Sequence, residues 1–106
     1  MPFETEMKRD IHFQKHGHHF GAADAAEYEL LADEFMFGQM GRYTRQCYRP
    51  NHGLRLRFDT WNRRFGGAAP VAPEFVKTFY VVAQAHVDYH GGEMPYFGRE
   101  CGRINV

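Results

Sequence analysis

The sequence predicts an α+β domain in which N-terminal helices pack on a small antiparallel β-sheet. Three observations predict it. Residues 24–38 carry apolar side chains at helical spacing, residues 54–59 alternate apolar and charged side chains, and residues 75–82 form a β-branched and aromatic run. The helical period comes first and the period of two follows, which segregates helices from sheet.

Taken in order, Lys8 to His19 reads as a short helix with Gly17 near its end and Ile11, Phe13 and Phe20 as apolar anchors. Asp24 and Glu27 have capping-box spacing and open the clearest helix. Tyr28, Leu31, Ala32 and Phe35 follow as one apolar stripe, and Gly38 is a natural stop. Strands are expected at Arg42–Arg49 and Leu54–Asp59, with a turn at Asn51–Gly53 between them. Thr60–Asn62 reads as a hairpin turn and Arg63–Gly67 as the returning strand. A Pro/Ala loop, Ala68–Pro73, leads to the strand Phe75–Val82. There Val76, Thr78 and Tyr80 are expected on one face, Phe75, Phe79 and Val81 on the other. The tail predicts a loop or short helix at His86–His90 and a short helix around Tyr96–Cys101.

At 106 residues the chain is one domain, 1–106, and its 16% aromatic content suits a packed core rather than a disordered segment. The longest apolar run, Phe79–Ala83, is too short to span a bilayer. The N-terminus lacks a charged-then-apolar secretory pattern, so delivery across a membrane is expected to depend on other sequence. Cys47 and Cys101 show no metal or redox spacing. Two part-buried thiols are the expected state, with a disulfide as the alternative.

The formal net charge of zero hides a segregation: residues 1–41 hold eight acids and three bases, residues 42–106 ten bases and five acids. The run Arg42–Arg64 has seven arginines and one acid, Asp59. Such a stripe suits phosphate, because a planar guanidinium can grip two oxygens. A solvated face paired with the acidic helix would look the same in sequence.

Three groups could carry chemistry. His12, His16, His18 and His19 cluster in sequence, and His12 and His16 share a helical face at i, i+4. Imidazoles titrate near neutrality and suit proton transfer, but i, i+4 histidines also bind zinc and also occur as plain surface residues. Phe13 stands where a metalloprotease motif would put Glu. Arg55 and Arg57 point the same way from one strand and could straddle a phosphate, or could simply pair with acids. Thr78 and Tyr80 share a strand face, where packing is the ordinary role. Together, a proton carrier, two guanidinium groups and two hydroxyls match the needs of RNA cleavage without a cofactor.

The stretch DIHFQKHGHHFGAADAAEYELLADEF (Asp10–Phe35) resembles the N-terminal signature of a toxin nuclease family: His-Phe, His-Gly, Phe-Gly, then a capped helix with Glu-Tyr and Ala-Asp. LRLRFDTWNRRFGG resembles the family's Arg-Phe-Asp hairpin, FVKTFY its terminal Thr-aromatic-Tyr strand, and DYHGGEMPYFGREC the His-Gly and Tyr-Phe ending of some members. The family belongs to the barnase/EndoU/colicin/RelE-like group of ribonucleases, found as C-terminal domains of contact-dependent and phage-linked polymorphic toxins. The resemblance covers roughly residues 10 to 101. It implies that His12 or His16, Arg55 or Arg57, and Thr78 with Tyr80 form an active site. The chain departs from the pattern in His18, His19 and its zero net charge, and the last points to a defined substrate such as a transfer RNA.

The expectation is therefore a cofactor-free, metal-independent endoribonuclease toxin that makes 2′,3′-cyclic phosphates. Arg45, Arg49, Arg63 and Arg64 would add substrate binding. A cognate immunity protein would be its partner, and a larger toxin would deliver it to a target-cell cytoplasm. The alternatives are an RNA-binding module that stacks bases on Tyr43, Tyr48 and Trp61, and a phage-associated interaction domain.

Overall fold

The computed structural model describes residues 3–50 and 53–103. The Thr5 side chain accepts from the Lys8 N–H at 3.1 Å and opens helix α1 (Glu6–His16). The expected single helix to His19 stops short: Gly17–Phe20 winds into a 3-10 turn that ends at Gly21, with φ 63°. A Cβ on Gly17 would sit 2.5 Å from the Phe13 ring, so the chain turns where only glycine lets it fold back on α1. Helix α2 (Ala25–Phe37) starts as expected, with Asp24 accepting from the Glu27 N–H at 2.8 Å, and Gly38 closes it on Glu34 O.

Four strands follow: β1 (Thr44–Tyr48), β2 (Arg55–Asp59), β3 (Arg64–Ala68) and β4 (Val76–Val81). They pair antiparallel in the order β1-β2-β3-β4. The predicted turn at Asn51–Gly53 lies partly outside the described residues, which omit Asn51 and His52. The β2–β3 turn is held by Asp59, whose Oδ1 accepts from the N–H groups of Trp61 and Asn62, and is closed by Arg63 at φ 62°. The chain ends in helices α3 (Gln84–Tyr89) and α4 (Glu93–Gly102).

Each face of the sheet has its own core. Phe3, Tyr28, Ala32, Met36, Ala68, Val76 and Phe79 pack between the sheet and α1 and α2. Leu56, Phe58, Phe65, Val82, Val87, Tyr96 and Phe97 pack between the other face and the C-terminal helices. The tail thus supplies a third layer. The fold is α+β with helices on a four-stranded antiparallel sheet, and among the described residues no helix is long and apolar enough to cross a membrane.

Four further expectations change. The Arg55/Arg57 face of β2 is not an exposed charged face, because α2 covers it and Arg57 is 8% exposed. Val76 joins Phe79, not Tyr80: a register shift beside Gly67 and Ala68 leaves Lys77 unpaired, and that extra residue rotates Val76 to the other face. Ile11 is exposed rather than an anchor. Cys47 on β1 and Cys101 on α4 are joined in a disulfide with Cα atoms 6.0 Å apart, where free thiols were expected.

Candidate active site at one corner of the sheet

β4 is an edge strand, and the N-terminal region blunts it. Phe3 bridges to Val76, the Tyr28 hydroxyl donates to Phe79 O, and the Val81 N–H donates to His19 Nδ1 at 3.1 Å. As an acceptor there, the neutral His19 ring carries its proton on Nε2. The same docking brings α1's last turn over the edge. The His16 ring lies 5.2 Å from that of Tyr80 and 5.3 Å from that of His19, and His12 follows at 6.2 Å from His16. Of the expected site residues, the structure therefore unites His12 and His16 with Tyr80. Thr78 lies two residues back on the same strand face, its methyl over Gly67.

Burial governs the protonation of this cluster. It pulls His16 down to about 4, with His19, His12 and Lys15 adding repulsion. Burial, then Lys15, lowers His12, and burial, then His18, lowers His19. Nδ1 of both His12 and His16 is buried with no hydrogen-bond partner, so a protonated ring would bury an unpaired cationic N–H. The rings are neutral at pH 7. Tyr80 is shifted the other way: burial raises it, while a hydrogen bond from Tyr96 partly offsets this. It stays a phenol. A neutral imidazole beside a protonated phenol is a base next to an acid.

Arg55 and Arg57 do not join this corner. They lie on β2, separated from β4 by β3, beneath the C-terminus of α2. Arg57 donates to Phe35 O at 3.0 Å, to Gly38 O at 2.8 Å and to Gln46 Oε1 at 2.7 Å. Arg55 donates to Met36 O at 3.0 Å, lies over the Phe37 ring and faces Glu74 at 3.9 Å. These cations satisfy the orphan carbonyls and negative dipole end of α2. Burial and then the neighbouring Arg55 cation lower Arg57.

Arg49 is likewise structural: it is buried and bonded to Glu100 through the main-chain oxygen and through Oε1, both at 2.9 Å. The other expected substrate-binding arginines share the end of the sheet where Val81 pairs with Arg64 and Thr44 with Asp59. Arg64 lies over the Phe20 ring at 5.1 Å. Arg45 donates to main-chain oxygens, and Arg63 to Val82 O and Gln84. Arg42, just before β1, sits over Tyr43. Among the described residues none of these four pairs with a carboxylate. His19 and His16 thus lie towards the end of β4 that the unneutralised cations share, while His12 lies back against Phe3, which bridges to Val76.

Sequence reasoning missed Tyr96 and Glu100. Tyr96 touches Tyr80 and also His86, at 5.4 Å between rings. Glu100 meets Arg49 from 51 residues away, and no local spacing announces such a contact. Among the described residues, no group of three or more His, Cys, Asp or Glu is arranged to hold a metal ion. No protein-family model matches the sequence, and comparison with curated proteins and with solved structures finds no match.

Proposed function

We propose that the chain is an endoribonuclease domain of the toxin type, on a barnase/EndoU/colicin/RelE-like fold, and that it cleaves RNA at the β4 corner by acid/base transesterification. The observation that carries this reading is the neutral His16 ring against the protonated Tyr80, on the edge strand whose last residue, Val81, pairs with Arg64, a cation without a carboxylate partner among the described residues. His16 takes the proton of a ribose 2′-hydroxyl. The 2′-oxygen bonds to phosphorus, the P–O5′ bond breaks, and Tyr80 gives its proton to the leaving 5′-oxygen. The imidazolium then returns its proton to the neighbouring phenolate, which resets both groups. Arg64 and its neighbours match the charge on the five-coordinate phosphorus. The products are a 2′,3′-cyclic phosphate and a 5′-hydroxyl, and no metal is needed.

A transfer RNA is a fitting substrate for a domain of zero net charge, since non-specific binding grows with basic charge. In this reading the domain rides on a larger toxin into a target-cell cytoplasm. Its producer is protected by an acidic immunity protein that covers the arginine-rich end. A non-catalytic RNA-binding domain is the second reading, favoured by the exposed ring pair Tyr43 and Trp61.

The test is cleavage of end-labelled RNA in excess EDTA. The expected products end in 2′,3′-cyclic phosphate, and His16→Ala and Tyr80→Phe each lower the rate roughly 100-fold or more with circular dichroism unchanged. Products ending in 3′-hydroxyl, or strict dependence on magnesium, would overturn the mechanism. Intact RNA that is nevertheless bound would leave the second reading.

A further inference from the structure

The arginine-rich end of the sheet carries a feature that the catalytic corner does not use. Trp61, in the β2–β3 turn, stacks on Tyr43, just before β1, with ring centroids 5.5 Å apart and planes 25° apart. Trp61 is 74% exposed and Tyr43 40%. The pair is built rather than loose. The Trp61 N–H donates to Asp59 Oδ1 at 2.8 Å, and the Thr60 N–H and hydroxyl both donate to Tyr43 O. The Arg42 guanidinium lies 5.5 Å from the centre of the Tyr43 ring. A solvated aromatic pair contributes little to either core, and neither ring belongs to one.

We infer that this pair is a stacking subsite for an unpaired base of single-stranded RNA, upstream or downstream of the phosphate held at the β4 corner. Three things favour that occupant. An exposed indole offers a flat π-face, which every nucleobase matches. Arg42 at the Tyr43 ring, and Arg45 and Arg63 near it in the chain, have no carboxylate partner among the described residues and suit the flanking phosphates. The platform and the His16–Tyr80 corner also lie at the same end of the sheet, across its four strands, roughly 14 Å by three inter-strand spacings. A short single-stranded segment can bridge that gap, whereas a duplex hides its base faces inside the stack. The subsite rests on RNA as the ligand, not on its cleavage.

Trp61 is the only tryptophan in the chain, so its fluorescence reports on the platform directly. The probes are a single-stranded oligouridylate, a duplex RNA of equal length, and base-free polyphosphate, each titrated into the whole chain in EDTA. The oligonucleotide should quench Trp61 saturably, with little quenching by duplex or polyphosphate. Tyr43→Ala should weaken oligonucleotide binding about 10-fold, and Trp61→Ala should do the same by anisotropy of a labelled strand. Equal quenching by polyphosphate would reduce the patch to an anion site and overturn the inference. So would unchanged affinity in both variants, or no quenching by RNA that the chain still cleaves. Saturable quenching without cleavage would keep the subsite and remove the nuclease.

Discussion

The two ends of the sheet treat arginine in opposite ways. At the end where Tyr48 pairs with Arg55 and Ala68 with Val76, the cations are spent on structure. Arg49 is locked to Glu100 and Arg55 to Met36 O and Glu74, and the Cys47–Cys101 disulfide staples β1 to α4 beside them. At the other end, Arg42, Arg45, Arg63 and Arg64 have no carboxylate among the described residues, and aromatic rings lie under two of them, Tyr43 under Arg42 and Phe20 under Arg64. The residue type is the same at both ends. What differs is the three-dimensional partner, which decides whether a guanidinium is a structural strut or is free to meet an anion.

The stapled end should dominate stability. The disulfide closes a loop spanning 54 residues. In the chain-entropy picture a loop of that size is worth about 4 kcal/mol. Reduction, or Cys47→Ser with Cys101→Ser, should lower the urea midpoint further than Arg57→Ala, His16→Phe or Arg64→Ala does. A midpoint unmoved by reductant would mean that the Arg49–Glu100 contact and the packing of Tyr96 and Phe97 hold α4 without the disulfide.

Arg57 sharpens the contrast from within the sheet. Arg57→Ala removes three hydrogen bonds and strands the carbonyls of Phe35 and Gly38 at the end of α2. A cost of about 3 kcal/mol is expected for losing charged, buried hydrogen bonds. The check is denaturant unfolding beside RNA affinity. Stability should fall while affinity, measured well below the midpoint, is kept. The opposite pattern would return Arg57 to the binding surface.

Much of the fold was legible in the sequence, and the site only in part. Asp24, Gly38 and the alternation of residues 54–59 are local signals, and the elements they announce formed where expected. His16 and Tyr80 were both legible as chemistry-bearing residues, yet their meeting depends on how α1 docks on an edge strand 64 residues later in sequence. Arg55 and Arg57 were misread for a related reason. Their shared face is a strand property, but whether solvent or a helix terminus lies above that face is a tertiary one. The bulge at Lys77 is a further case: a single unpaired residue re-aims Val76, and nothing in FVKTFY marks it.

The imidazole corner predicts a pH dependence of stability. His16 titrates near 4 in the folded chain against 6.5 when free, and His12 and His19 are lowered in the same direction. Above 6.5 both states are neutral and the full stability is present. As pH falls from 6.5 towards 4, the unfolded chain binds protons that the folded chain refuses, so stability falls with pH across that window. Thermal melts at pH 7.5 and pH 4.5 should show the loss, and it should shrink in His16→Phe, which keeps the ring against Tyr80 and removes the titration. An equal loss in that variant would assign the window to other groups.

The smallest expected effect on stability is also the most telling for the contrast between the two ends. Arg64 lies over Phe20 with no carboxylate partner among the described residues, so Arg64→Ala forfeits a cation–π contact and side-chain packing. The unfolding free energy should change by about 0.5–1 kcal/mol, well below the effect at Arg57. If the open end serves phosphate, RNA affinity should nonetheless fall, and its dependence on salt should weaken by about one phosphate contact. Affinity at several salt concentrations separates the outcomes. A variant that loses stability as Arg57→Ala does, with an unchanged salt slope, would show that the open end is a second structural end, and the two ends would no longer differ in how they use arginine.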